Sequence, residues 1–424
     1  MRKNVFVLGL DEHNQRILDD MPDADSYTFH PLLSFEEIYG EEIELAPLLA
    51  KARQHLSSFD GRIDAIIGFW DFPVSTMLPI LRQRFGLAGA TLEEVVKCEH
   101  KYWSRLEQQK VIEEYPRFGL VDLEATDLPE GLSYPVWLKP VKSFSSVLAF
   151  GVHDRVQFAD AVKQIREGIS WVGEPFDELL EYLDLPAEIA EVGGQACLAE
   201  EALTGQMATV EGYRCDGEVH IYGVVDSVRY PNSSSFLRYQ YPSSLPTEVC
   251  LRMAEIGRTV ISAIGLERMT FNIEFFWDSL TDSINLLEIN PRHSQSHAEL
   301  FEDVDGMANH EVMLQLALGN TPVLPHRQGR FNYAAKWFLR RFSDGIVTHH
   351  PTPEEIERVT ELVPGTSVDL SVHTGDRLSE LHEQDSYSYS LANIYVGASD
   401  ENELQAKFER VAEELPFGIE DVEA

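Results

Sequence analysis

Short apolar runs recur along the chain, and most end in glycine or a polar cluster before a stretch with helical spacing. NVFVLGL at 4–10 reads as a buried strand, with a helix to follow from about Asn14. RIDAIIGFWDF at 62–72 repeats that pattern, and such strand–helix alternation implies a parallel, doubly wound unit. Only Gly9 occupies the first turn, so no GxGxxG fingerprint points to dinucleotide binding there. TLEEVVKCEHKYWSRLEQQKVIEEY at 91–115 opens with Thr91 and carries Glu94 three residues on. That capping-box spacing predicts a long helix, broken near Cys98. YPVWLKPVKSFSSVLAFGVHD at 134–154 reads as strand, Ser-rich loop and strand; 155–190 is acidic with helical period; 195–228 alternates through several strands.

RYPNSSSFLRYQYPSSLPTE at 229–248 predicts a loop longer than the usual ~4–6 residues. The amphipathic helix EVCLRMAEIGRTVISAIGL and the strand FNIEFFW come next. PHRQGR, beyond Leu324, marks a boundary before a smaller α+β unit with helix starts at Thr352-Pro353 and after Ser399. With 424 residues, 44% of them hydrophobic and 10% aromatic, the chain can bury several cores, and two to four units are expected at ~100–200 residues each. Seventy-one acidic against thirty-four basic residues leave a net charge of −37, which repels phosphate backbones and anionic membranes. Nucleic acid is a poor partner on that ground.

Ten lysines against twenty-four arginines, in so acidic a chain, are consistent with salt adaptation or with codon bias. Cys98, Cys197, Cys215 and Cys250 form no CxxC pair, so neither a zinc knuckle nor a disulfide framework is indicated, and a reducing cytoplasm is the expected compartment. The N-terminus turns polar after one short apolar run, and no uninterrupted apolar run approaches ~18 residues. Neither a targeting segment nor a membrane span is expected.

FNIEFFWDSLTDSINLLEINPR, 271–292, holds the chemistry: two strands flank a polar turn. Positions two apart share a face, so Glu288, Asn290 and Arg292 point together while Leu287 and Ile289 face a core. Pairing centred near Thr281 sets Glu274 opposite Glu288 and Asn272 opposite Asn290, with opposed Cβ atoms ~4.5–5.5 Å apart. Two carboxylates at that range require a proton or a cation between them. Hard oxygen donors with no thiolate suit Mg²⁺ or Mn²⁺, whose shell nucleotide phosphates can complete. A retaining-hydrolase pair would leave Asn290 and Arg292 without a role. Lys139 ends the apolar strand YPVWLKP, where an ammonium needs an anionic partner, and KSFSS offers hydroxyls and amides for phosphate oxygens. HSQSH places His293 and His297 four apart. Without HExxH or a third ligand these histidines read as substrate-loop or helix-start residues rather than a zinc site.

In order, these residues resemble the ATP-grasp superfamily, in particular its carboxylate–amine ligases, with similarity also to biotin carboxylase and the large chain of carbamoyl phosphate synthase. The resemblance implies α/β and α+β architecture: a doubly wound pre-ATP-grasp domain at 1–95, a two-lobed ATP-grasp fold at 96–325 with lobes about 96–197 and 198–325, and a lid-like C-terminal α+β domain at 326–424. HKYWSR resembles the family's Asp-Lys helix, with His100 replacing the acid and Lys101 contacting nucleotide phosphates. YPVWLKPVKSFSS resembles the phosphate loop, with Lys139 on phosphate and Ser145 and Ser146 over the triphosphate, although the usual glycines are missing. LAEEAL resembles the adenine hinge, where Glu200 and the Ala202 backbone would meet the base beside Glu201 and Leu203; Met207 stands where a ribose-binding acid is common.

By the same resemblance Glu274, Glu288 and Asn290 are magnesium (or manganese) ligands, and Arg292 steadies the reacting carboxylate or acyl phosphate. His293, Ser294, Ser296 and His297 replace a Gly-rich run, and with Arg238 in 229–246 they are the expected substrate residues. The implied activity is an ADP-forming ligase joining a small carboxylate, an amino acid among the options, to an amine through an acyl phosphate. An ATP-dependent carboxylase acting through carboxyphosphate and a non-catalytic ATP-binding regulatory module stay open. ATP and the two small molecules are the expected partners, with a homodimer as the assembly such ligases often adopt.

Overall fold

A computed structural model describes residues 2–40, 42–143, 147–381 and 387–422. The first 95 residues hold strands β1 (Lys3–Leu8), β2 (Tyr27–Leu32) and β3 (Ala65–Ile67), parallel in the order β2-β1-β3. The helix Glu12–Asp20 is capped by Asp11, whose carboxylate accepts from the Asn14 amide at 2.9 Å. Leu8, Leu32, Ile66 and helix residues Leu49, Met77 and Leu78 bury one face of this sheet; Val5, Val7 and Ile67 bury the other. Three strands with helices on both faces make this unit α/β.

A four-stranded antiparallel sheet follows, built from β4 (Phe118–Val121), β5 (Val136–Pro140), β6 (Phe150–Val152) and β7 (Cys197–Glu201) in the order β4-β7-β5-β6. The capping box of Thr91 and Glu94 starts the helix Leu92–Glu99, and a second helix, Lys101–Gln109, begins one residue after it. The break lies at His100. Its extended backbone ends one helix and caps the next, with Nδ1 accepting from the Trp103 amide at 3.2 Å and Nε2 bound to the Gly193 carbonyl at 3.0 Å.

The largest sheet has eight strands: β8 (Gln206–Cys215), β9 (Glu218–Arg229), β10 (Phe236–Tyr241), β11 (Met269–Asp278), β12 (Ser283–Asn290), β13 (Tyr333–Arg341), β15 (Thr366–Leu370) and β16 (Tyr389–Ala398), while β14 (Gly345–His349) pairs with β17 (Gly418–Asp421) in a separate two-stranded sheet. Its order is β12-β11-β8-β9-β10-β13-β16-β15, so the sheet continues unbroken past the PHRQGR boundary. One face is covered by apolar helix stripes. Val249, Met253, Val260 and Ile264 of the helix Thr247–Ile264 pack on Phe271, Ile273 and Phe275, and Leu404 and Val411 of Glu401–Glu414 pack beside Trp337, which stacks on Phe408 at 3.9 Å.

Part of the expected 229–248 loop is strand β10, which joins β9 to β13 and so carries the sheet into the C-terminal residues. FLRYQY supplies β-favouring aromatics, but two ready neighbouring strands, not its local pattern, decide its state. The turn from β7 to β8 passes close to the end of the β11–β12 hairpin. Gly205 sits there at φ +108°, and a Cβ would meet the Trp277 carbonyl carbon at 2.7 Å. Gly205→Ala should therefore destabilise the protein by about 2 kcal/mol or more in urea unfolding, whereas Gly217→Ala, at similar φ but with open space around it, should cost less.

Candidate functional site

The β11–β12 register places Glu274 opposite Glu288 and Asn272 opposite Asn290, as symmetric pairing about the turn requires, with a bulge after Glu274. Asn290 Nδ2 donates to Asn272 Oδ1 at 2.9 Å, and Asn272 Nδ2 donates to the Arg292 carbonyl at 2.9 Å. This amide ladder fixes the chain as it leaves β12 and points Arg292 back over the same face. Lys101 Nζ lies 2.9 Å from Glu288 Oε1 and donates to the Ser143 carbonyl at 2.9 Å. Burial raises the Glu288 carboxyl, but Lys101 and Lys139 outweigh it and hold the group below its ordinary value.

Glu274 is different. Among the described residues no cation lies within ion-pair distance of it, and its nearest donor is Asn290 Nδ2 at 3.5 Å. Burial and the facing Glu288 push its carboxyl up to about 7. Lys101 thus pairs with Glu288 alone, and the opposed Glu274 is short of one positive charge.

The second lysine is bound more deeply. Lys139 Nζ lies 2.6 Å from Glu200 Oε2, and Arg105 Nε donates to Glu200 Oε1 at 2.7 Å, with all three side chains at most 8% exposed. Arg105 also donates to the Leu286 and Leu287 carbonyls at 3.2 and 2.6 Å, which ties the triad to β12. Burial opposes ionisation of Glu200, but the two cations prevail and bring its carboxyl to about 2. Lys142 Nζ donates to Glu99 Oε2 at 2.6 Å between the rings of Phe72 and Phe176.

Arg292 is held from the N-terminal unit. Its Nε and Nη2 donate to Asp71 at 2.9 and 2.7 Å, and Nη1 donates to the His293 carbonyl at 3.2 Å. Burial works against both ions, but the pair keeps Asp71 below and Arg292 above their ordinary values. The guanidinium retains N–H donors on Nη1 and Nη2.

The other expected residues divide. Ser145 and Ser146 lie outside the described residues. Glu201 pairs with Arg117 at 3.1 Å, the Ala202 amide donates to the Pro135 carbonyl at 3.2 Å, and Leu203 is half-buried in the following turn. Ser294 and His297 are held by Glu211, which is fully buried: the Ser294 amide and His297 Nδ1 each donate to Oε1 at 2.9 Å, and the Tyr222 hydroxyl donates to Oε2 at 2.7 Å. Ser296 Oγ accepts from Lys336 Nζ at 3.1 Å. His293 has no exposed surface. It packs by Phe69 and His310, its amide donates to Thr270 Oγ1 at 3.1 Å, and burial holds its imidazole neutral, so it belongs to the core beneath the strand exit. Arg238 is the clear correction. It pairs in register with Trp337, stacks on that ring at 4.5 Å and donates to Gln240 Oε1 at 3.0 Å, on the sheet face opposite Glu274.

Asp71, Arg105, Glu211 and Lys336 were not legible as site residues. Asp71 stood in the quoted GFWDF run, but nothing local shows that a strand end near residue 70 meets residue 292.

No trio of His, Cys, Asp or Glu among the described residues is gathered to hold a metal. Glu274 and Glu288 with the Asn290 amide oxygen are an incomplete set of hard donors that lacks one positive charge. That fits a magnesium ion whose remaining positions go to water and phosphate, and does not fit zinc.

Residues 132–298 match the ATP-grasp domain family. Solved structures share the fold across nearly the whole chain. An L-amino acid ligase from Bacillus licheniformis aligns over 99% of both chains at 16% identity, with a TM-score of 0.74. A carboxyaminoimidazole ribonucleotide synthase from Aspergillus clavatus, complexed with ATP, aligns over 97% of this chain and 98% of that one at 16% identity, with a TM-score of 0.67. A biotin carboxylase from Campylobacter jejuni aligns over 99% and 92% at 14% identity, with a TM-score of 0.64. No curated protein matches in sequence. Residues 132–298 thus carry an ATP-grasp domain, and over the rest of the chain the likeness to these structures is one of fold. No helix among the described residues is long and apolar enough to cross a membrane.

The buried triad gives a test by acid. Glu200 titrates near ~4.3 when unfolded and about 2 when folded, so its stabilisation is complete above that unfolded value and fades as pH falls toward 2. Glu200→Gln should cost about 3 kcal/mol at pH 7 and markedly less at pH 3, read from urea unfolding of both proteins at each pH.

Proposed function

We propose that the chain is an ADP-forming ligase that joins a small carboxylate, an amino acid being the leading candidate, to an amine through an acyl phosphate. The observation that carries this reading is the single polar sheet face on which Glu274, Glu288 and Asn290 stand between Lys101 and Arg292. Glu274, Glu288 and Asn290 would hold magnesium, which when bound neutralises phosphate charge. Lys101, which pairs with Glu288, would donate to phosphate oxygens from the β12 edge, and Lys139, held by Glu200, would do so from β5.

The substrate carboxylate is oriented by the free edge of Arg292, itself locked by Asp71. One carboxylate oxygen attacks the γ-phosphorus of ATP, the bond to the bridging oxygen breaks and ADP leaves. The amine lone pair then attacks the acyl carbon, phosphate departs with the C–O bonding pair, and the nitrogen gives its proton to solvent. Arg292 and the lysines are placed where negative charge develops, so positioning and electrostatics supply the acceleration.

An ADP-release screen over paired amino acids, small carboxylic acids and amines, with mass detection of the product, tests the reading. Amide formation coupled to ADP supports it. Bicarbonate-dependent ADP release without any amine would favour carboxylation, and nucleotide binding without turnover in any mixture would favour a regulatory module. Glu288→Gln should lower ADP release at least roughly a hundredfold with an unchanged circular dichroism spectrum; wild-type turnover in that variant would sink the metal assignment.

A further inference from the structure

Lys336 of β13 is a buried ammonium. It is 8% exposed, and among the described residues no carboxylate lies within ion-pair distance. Its Nζ donates to Ser296 Oγ at 3.1 Å and lies 5.2 and 5.5 Å from the ring centroids of Phe338 and Tyr395. A hydroxyl and two ring faces compensate a buried ammonium only in part. Burial accordingly lowers its pKa to about 8, against the more distant Glu299 and Asp369 and with Arg340 adding to the fall.

Its position in the sheet gives this charge a use. Lys336 pairs with Tyr239 and Tyr239 with Ser227; the Ser227 hydroxyl meets Thr209 Oγ1 at 3.3 Å, and Thr209 pairs with Glu274. Lys336 and Glu274 therefore share one face, four strand spacings apart, ~19 Å across the strands, with Glu288 one strand further on. A ligand extended along this face would meet both groups. Lys101 approaches Glu288 at the β12 edge, away from β13. In a transfer running from phosphate to acyl carbon to amine, the remainder of the amine substrate is what lies toward Lys336.

We propose that Lys336, with Ser296, receives a carboxylate carried by the amine substrate, so that the acceptor is an amino acid rather than a simple amine. This rests on the reading of the chain as a carboxylate–amine ligase. The test compares amino acids with their decarboxylated amines, L-alanine with ethylamine first, as acceptors for wild type, Lys336→Met and Lys336→Arg.

Wild type should prefer the amino acid, and Lys336→Met should lose roughly tenfold or more in kcat/KM on it, through the acceptor KM. KM for ATP and the rate with the decarboxylated amine should stay unchanged, and Lys336→Arg should recover part of the loss. Equal use of both acceptors by wild type, or an equal loss on both in Lys336→Met, overturns the assignment while leaving the ligase reading intact. So does a loss confined to dicarboxylic over monocarboxylic donors. Absence of ADP release with every acid and amine pair overturns the ligase reading, and this proposal with it.

Discussion

Two carboxylates facing each other across a hairpin are the constraint around which this molecule is built. Glu274 and Glu288 are fixed by strand register, so their repulsion cannot be relieved by moving the side chains far apart. The fold supplies Lys101 to one and leaves the other uncompensated, raised to about 7. A compact, hard cation is what such a pair is short of. Ordinary folding chemistry would have placed a second lysine or an apolar residue there, and the unrelieved charge is therefore best understood as retained for a ligand.

The cations around the pair are drawn from separate parts of the chain, and each is tethered by an acid. Arg292 reaches Asp71 beyond β3, Lys139 and Arg105 share Glu200, and Lys142 is held by Glu99 at a helix end. Buried ion pairs of this kind contribute little net stability relative to apolar packing, yet removing one member is costly. Their value here is geometric. They fix lysine and arginine heads near the carboxylates without neutralising Glu274, and they couple the N-terminal α/β unit to the hairpin through one bidentate contact.

Much of this was legible in the sequence because the signals are local. Alternation in FNIEFFW and SINLLEIN fixes the faces, the polar turn between them fixes the register, and Thr91 with Glu94 fixes a helix start. What was not legible depends on distant partners. β10 is a strand because β9 and β13 flank it, and once it is a strand, parity alone sends Arg238 to the Trp337 side and Tyr239 to the carboxylate side. Asp71 and Glu211 gain their roles from residues more than eighty positions away, and HSQSH, read as one substrate loop, is split by burial into a core histidine, two groups anchored by Glu211 and one serine facing Lys336.

The continuity of the eight-stranded sheet fixes the C-terminal residues relative to the β11–β12 hairpin. A lid hung on a flexible linker could close over a ligand but could not hold a charge at a fixed distance from the hairpin. Strand β13, hydrogen-bonded to β10 and β16 on its two edges, sets Lys336 in the same pleated surface as Glu274, with Tyr239, Ser227 and Thr209 between them. Distances along such a surface are set by backbone hydrogen bonds rather than by loop conformation. Under the proposed assignment, a fixed separation between the carboxylate pair and the Lys336 ammonium would select ligands by length as well as by charge.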